Sequence, residues 1–126
     1  MNAQVVPVEG AVVFSNSGIR TGGIVHTLGS SDILITNGGH YLVTFSVSGS
    51  EPNQFALFVN GAVVAGTGYG AAAGAQQNSG HAILSVPNGS ILTLRNHTSA
   101  TAVTLPANPG GAATAVNASV LLQKLN

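Results

Sequence analysis

Tyr41-Leu42-Val43-Thr44-Phe45-Ser46-Val47-Ser48 sets large apolar residues at every second position and mostly small polar ones between them. Successive side chains of an extended chain point to opposite faces, so Tyr41, Val43, Phe45 and Val47 share one side, and Leu42, Thr44, Ser46 and Ser48 the other. A helix would scatter both sets around its axis. The stretch is therefore a strand with one buried face. Two further segments read the same way. In His81–Val86, the set Ala82, Leu84 and Val86 opposes His81, Ile83 and Ser85. In Ala115–Leu125, the set Val116, Ala118, Val120 and Leu122 opposes Asn117, Ser119, Leu121 and Gln123. Each wholly apolar set is assigned to the core.

Outward from these three, the pattern is strands and turns, with no sustained 3.6-residue period. Further strands are expected at Ala11–Phe14, Ile24–Leu28, Asp32–Thr36, Gln54–Asn60, Ala62–Ala65, Ser90–Asn96 and Ala102–Leu105. Asn60-Gly61 is the sharpest turn signal, because both residues tolerate the positive φ of a type I′ hairpin. Asn37-Gly38-Gly39, Pro87-Asn88-Gly89 and Asn108-Pro109-Gly110-Gly111 supply other turns. Gly66–Gly80 reads as a long loop with a short edge strand. Its Ala71–Ala75 run is interrupted by Gly74 and is too short for a stable helix. The expected architecture is one all-β domain over residues 1–126, a sandwich, jelly roll or barrel of about ten strands. Residues 1–10 are read as an extended N-terminal segment.

Only Arg20, Arg95, Lys124, Glu9, Asp32 and Glu51 carry charge among 126 residues, and cysteine is absent. An ordinary soluble domain is about 25% charged. The zero net charge gives no electrostatic footprint for nucleic acid or an anionic membrane, and no apolar run approaches the roughly 20 residues needed to span a bilayer. No basic segment followed by an apolar one opens the chain, so no secretory signal is read. Without thiols there is no disulfide framework. One Met, no Trp and three trypsin-type cleavage positions describe a chain with little to oxidise and little to cut.

The outward faces of the three strands are unusual. They carry Ser, Thr and Asn with one large aliphatic each, Leu42, Ile83 and Leu121, and no Lys or Glu. Buried parts of subunit interfaces are depleted of charge in this way, whereas scattered surface aliphatics are the bland alternative. Three on equivalent faces favour self-association.

Gly39-His40-Tyr41-Leu42-Val43-Thr44-Phe45 fits a Gly-x-Tyr-x-x-x-Phe signature leading into a central strand, and resembles the trimeric jelly-roll domains of the tumour necrosis factor and complement-collagen superfamily. Gln54-Phe55-Ala56-Leu57-Phe58-Val59-Asn60-Gly61, Gln76-Gln77-Asn78-Ser79-Gly80, Leu92-Thr93-Leu94-Arg95-Asn96-His97 and Val116-Asn117-Ala118-Ser119-Val120 are similar to the C-terminal domain of collagen-like spore-surface glycoproteins of bacilli, the BclA type. The resemblance runs from Ile24 to Leu125. It implies a ten-stranded jelly roll assembling as a homotrimer, a cap on a collagen-like stalk at the spore surface (exosporium). It further implies that Tyr41–Ser48, His81–Val86 and Ala115–Leu125 share the sheet that meets neighbouring subunits. No Gly-X-Y repeat is present, so a stalk is not part of this sequence. The chain is either an excised head or a stand-alone relative.

Candidate interface residues are Leu42, Thr44, His81, Ile83, Ser119 and Leu121. The expected partner is the chain itself, with other exosporium proteins or surface glycans as further partners, and no cofactor, metal or nucleic acid. His26, His40, His81 and His97 lack zinc-motif spacing. The acids Glu9, Asp32 and Glu51 all come early and turn-like, and no Gly-x-Ser-x-Gly elbow or phosphate loop occurs, so no catalytic residue is assigned. Arg95 reads either as the partner of one of those acids or as a snorkelling edge residue. Asn88-Gly89-Ser90, Asn96-His97-Thr98 and Asn117-Ala118-Ser119 match the N-glycosylation pattern incidentally. The structural trimer head is the leading reading. The alternative is a recognition module binding carbohydrate or a host protein through apical loops, with Tyr69, Asn96 and His97 as its residues.

Overall fold

The computed structural model of the protein describes residues 3–18, 22–72, 77–107 and 116–126. Short apolar alternations cut by turn residues give eleven strands and no helix among the described residues. They are β1 (Gln4–Val6), β2 (Ile24–His26), β3 (Ile33–Ile35), β4 (Gly39–Val47), β5 (Asn53–Val59), β6 (Ala62–Val63), β7 (Tyr69–Ala71), β8 (Asn78–Val86), β9 (Ser90–Asn96), β10 (Val103–Leu105) and β11 (Ala118–Lys124).

The strands make an all-β, sandwich-like arrangement. One sheet runs β11-β4-β8; the other runs β2-β3-β9-β5-β6, with β7 also on β5; β1 and β10 form a separate pair. The three segments that alternate most clearly in the sequence thus share one sheet. Tyr41, Val43, Phe45 and Val47 are each at most 1% exposed, and Leu84 and Val86 join them from β8. From the other sheet Ile33, Ile35, Phe55, Leu57, Leu92 and Leu94 complete a single core. Each such side chain contributes roughly 1.5–3 kcal/mol through burial. Gly80 on β8 lies under the Phe45 and Tyr69 rings; a Cβ there would meet Phe45 carbons at 2.6 Å.

Turn chemistry fixes the hairpins. Asn60 (φ 52°) and Gly61 (φ 81°) both take the left-handed conformation, as the Asn-Gly pair predicts. Gly89 (φ 75°) donates its N–H to Ile35 O at 2.8 Å, and Asn88 Oδ1 accepts from Gly38 N, tying the two turns together.

Several expectations are corrected. Ala11–Phe14 is not a strand: it makes only isolated bridges, Ala11 with Arg95 and Phe14 with Ser30. Residues 9–12 nonetheless run beside β9, through Glu9 N to Asn96 O (2.6 Å), Asn96 N to Gly10 O (2.9 Å) and Val12 N to Leu94 O (2.8 Å). The N-terminal segment is tied down by β1, whose Gln4–Val6 pairs with Val103–Leu105. The long loop holds the short strand expected within it, β7, but β8 starts three residues earlier than expected, at Asn78. Near β11 the parity argument runs too far back: Val116 is 64% exposed and Asn117 is 1% exposed, the reverse of the assignment, because the strand begins only at Ala118. Ala115, most of the Ala71–Ala75 run, Arg20, Gln76 and the Asn108-Pro109-Gly110-Gly111 turn lie outside the described residues.

β11 is anchored at both ends. Asn117 O accepts from Ser48 N (2.8 Å) and its side-chain amide donates to Pro106 O (2.9 Å). At the far end Leu125 N donates to His40 O (2.8 Å), and the Asn126 carboxamide oxygen accepts from His40 N (3.3 Å).

Candidate functional site

The outward face of the β11-β4-β8 sheet is built by register. Leu42 pairs with Ile83 on one side and Gln123 on the other; Thr44 pairs with His81 and Leu121; Ser46 pairs with Ser79 and Ser119. Side chains at paired positions project from the same face. The six candidate interface residues therefore fall on one contiguous surface. Ile83 is 66% exposed and Leu121 is 64% exposed, while Leu42 is half-buried and Thr44, His81 and Ser119 are exposed. No Asp, Glu, Lys or Arg stands at any outward position of these three strands; His40 and His81 are its only titratable groups. Gln77 braces one end of the face, donating to Ser46 Oγ and accepting from Ser48 Oγ (2.8 Å).

His81 has a defined setting there. Its ring lies 6.2 Å from the Tyr69 ring, and the Tyr69 hydroxyl donates to His81 O at 3.0 Å. Tyr69 in turn meets Phe45 edge-on at 5.8 Å. The aromatic expected in a ligand loop thus braces β8 from the side.

The three residues proposed for a ligand loop do not converge. Tyr69 and Asn96 flank Phe55 in one row of the larger sheet. Asn96 is fully buried, its side-chain amide donating to Val6 O (3.0 Å) and Thr101 O (3.3 Å), so it pins β1 and the turn after β9. Burial also closes Asn96 and Asn117 to glycan attachment; Asn88 is exposed.

His97 faces the other way and meets Glu9. Glu9 Oε1 accepts from His97 Nδ1 at 2.8 Å, and Oε2 from Thr98 N at 3.1 Å. The hydrogen bond from His97, then that from Thr98, holds the Glu9 carboxyl below the usual carboxylate range, with a smaller contribution from the Arg95 charge. Both Glu9 (φ 65°) and Thr98 (φ 64°) sit in the left-handed region, which a β-branched residue rarely adopts. Arg95 pairs with none of the acids directly. Its guanidinium carbon lies 4.9 Å from the Phe58 ring centroid, and Nε donates to Thr93 Oγ1.

Two concavities flank these features. A cleft of about 520 Å³ lies between Pro52–Gln54, Gly70–Ala72 and Thr98–Ala100. Its hydroxyls are engaged within it: Thr98 Oγ1 donates to Gln54 Oε1 (2.6 Å) and Ser99 Oγ accepts from Gln54 N (2.9 Å). A second groove, about 570 Å³, separates β11 from the β2–β3 end of the larger sheet, with Phe14, Ile24, Ile33, Val120 and Leu122 among its walls. Sequence reasoning did not find it, because its two sides are about 90 residues apart in the chain.

Compared with protein-family models and with characterised proteins, the sequence matches none.

Proposed function

We propose that this chain is a structural, non-enzymatic head domain that forms a homotrimer through the outward face of the β11-β4-β8 sheet. The carrying observation is that face: Leu42, Ile83 and Leu121 stand on it, and no Asp, Glu, Lys or Arg does. In water such a surface costs solvation that a neighbouring copy would restore, and charge depletion is what distinguishes the buried centre of an interface. Grouping of Tyr41–Ser48, His81–Val86 and the last strand into one sheet supports the jelly-roll reading and its trimer. Under the resemblance to collagen-like spore-surface proteins, the role is to register three chains at the exosporium, and the scarcity of charge, oxidisable groups and cleavage positions suits an outer surface. The decisive measurement is mass in solution by light scattering and sedimentation. Three copies per particle at micromolar concentration is expected; a dispersed monomer overturns the reading.

The second reading, recognition of a neutral saccharide, draws on the cleft that carries Gln54, Thr98 and Ser99. The backbone strain at Thr98 favours it, since such strain gathers at functional sites. A glycan array separates the two: saturable binding lost in Gln54→Ala supports recognition.

A further inference from the structure

Asn37-Gly38, Asn60-Gly61 and Asn88-Gly89 are turns, and each is also a latent reaction site. The glycine nitrogen attacks the asparagine side-chain carbonyl carbon readily, because glycine has no side chain to hinder the approach. Two groups must be at liberty for this. The carboxamide has to swing round, and the glycine N–H has to give up its proton. A hydrogen bond held by either one slows the reaction.

The fold restrains the three pairs to different degrees. At Asn88-Gly89 both reactants are engaged: Asn88 Oδ1 accepts from Gly38 N, and Gly89 N donates to Ile35 O at 2.8 Å. At Asn60-Gly61 the carboxamide is gripped at both ends. Its oxygen accepts from Ile91 N (2.9 Å), and its nitrogen donates to Ser90 Oγ (3.4 Å). Swinging it round to Gly61 N would break both bonds, and Asn60 N is itself bonded to Ile91 O (2.8 Å).

Asn37-Gly38 differs. The Asn37 side chain is exposed, and its carboxamide has no hydrogen-bond partner among the described residues. What restrains the pair is a single bond at the nucleophile, from Gly38 N to the exposed Asn88 side chain. The two turns lie so close that a Cβ on Gly38 would collide with Val86 O and Asn88 N.

We propose that Asn37 is the chain's site of spontaneous deamidation, and that the Asn88 carboxamide is the guard that slows it. When the bond to Asn88 opens, Gly38 N loses its proton to solvent and bonds to Asn37 Cγ. The bond from Cγ to the carboxamide nitrogen breaks, and ammonia leaves with a proton from solvent, closing a five-membered imide. Water opens the imide at either carbonyl, giving aspartate or isoaspartate. The balance is asparagine plus water to aspartate or isoaspartate plus ammonia. In the isoaspartate product the chain runs through Cγ, and the Asn37 carbonyl that accepts from the Tyr41 hydroxyl becomes a free carboxylate. Either product adds a negative charge just before β4, in a chain with only six charged side chains. The reaction needs one chain and does not rest on the trimer.

The test ages the whole folded chain in warm, mildly alkaline buffer and follows each Asn-Gly peptide by mass spectrometry, with isoaspartate separated by chromatography. Asn37 should convert fastest of the three. Asn88→Ala should speed conversion at Asn37 by about two- to tenfold, the worth of one hydrogen bond. Asn88→Asp, which keeps an acceptor oxygen for Gly38 N, should stay close to the wild-type rate. Asn60 is the internal control, because loss of the guard leaves its own bonds in place. Faster conversion at Asn60 or Asn88 than at Asn37, an unchanged Asn37 rate in Asn88→Ala, or an equal rise in Asn88→Asp overturns the proposal. Should Asn88→Ala unfold, seen as a matching rise at Asn60, the wild-type ranking and the Asn88→Asp rate decide it.

Discussion

Glu9 reaches across 88 residues of sequence to His97, 2.8 Å away, and binds Thr98 N with its other oxygen. A strained turn on the N-terminal segment is thereby fastened to a strained turn after β9. Since the Glu9 pKa is lowered in the folded protein, the stability it supplies is present above the ordinary carboxylate pKa and fades as pH falls through the folded value. Glu9→Gln should therefore melt earlier than the wild type at neutral pH, and the difference should close in acid. Thermal unfolding as a function of pH, with amide exchange at Val5 and Val12 as a local readout, checks this. An equal gap at all pH values would falsify the linkage.

Ile83 and Leu121 give the direct test of the assembly face. Ile83→Asp and Leu121→Asp each place a charge where the proposed trimer has no partner for it, a cost of several kcal/mol per site on burial. Both variants should give monomer or aggregate by light scattering. Leu28→Asp, also at an exposed aliphatic but on a different element, should leave the particle mass unchanged.

If the proposed trimer forms, His81 should give it a pH response. Outward positions of β4, β8 and β11 hold no carboxylate to compensate a charged imidazole, and His40 is the one other histidine there. Burial between subunits opposes the charged form, so protons bind better to separated chains, and acid should loosen the trimer. The dissociation midpoint should be lower in concentration at about pH 8 than at about pH 5. His81→Asn should flatten the dependence.

Gly80 tests the packing between β8 and the core. A methyl group there meets the Phe45 ring at 2.6 Å and crowds Tyr69. Overpacking of this kind costs typically 1–3 kcal/mol. Gly80→Ala should lower the unfolding free energy by an amount in that range, read as a lower denaturation midpoint with the slope of the transition unchanged.

Much of this was legible in the sequence. Alternation in Tyr41–Ser48 gave both the buried set and the outward one, and Asn60-Gly61 gave its turn, because those signals reside within a few neighbouring residues. What escaped depends on distant partners. Three residues of β1 show no alternation and become a strand only by meeting Val103–Leu105. Asn96 reads as a surface amide until Val6 O and Thr101 O are found beside it. Ser17 and His26 sit nine positions apart with no motif between them, yet Ser17 Oγ lies 2.7 Å from His26 Nδ1. The Val116 and Asn117 inversion has a simpler origin: parity holds only within a strand.

The anchors at the two ends of β11 have a consequence for pairing fidelity. Ala118-Ser119-Val120-Leu121-Leu122-Gln123-Lys124 carries a leucine on each side, but sliding it one position along β4 would turn Val120 and Leu122 outward and bring Ser119 and Gln123 in with Leu121. Hydrophobicity therefore already disfavours the slip. Asn117 and Asn126 act as end stops, since a shifted strand would strand the buried Asn117 amide and release Asn126 from His40. Two carboxamides thus reinforce, at the strand's ends, the register that the side-chain pattern sets along its length.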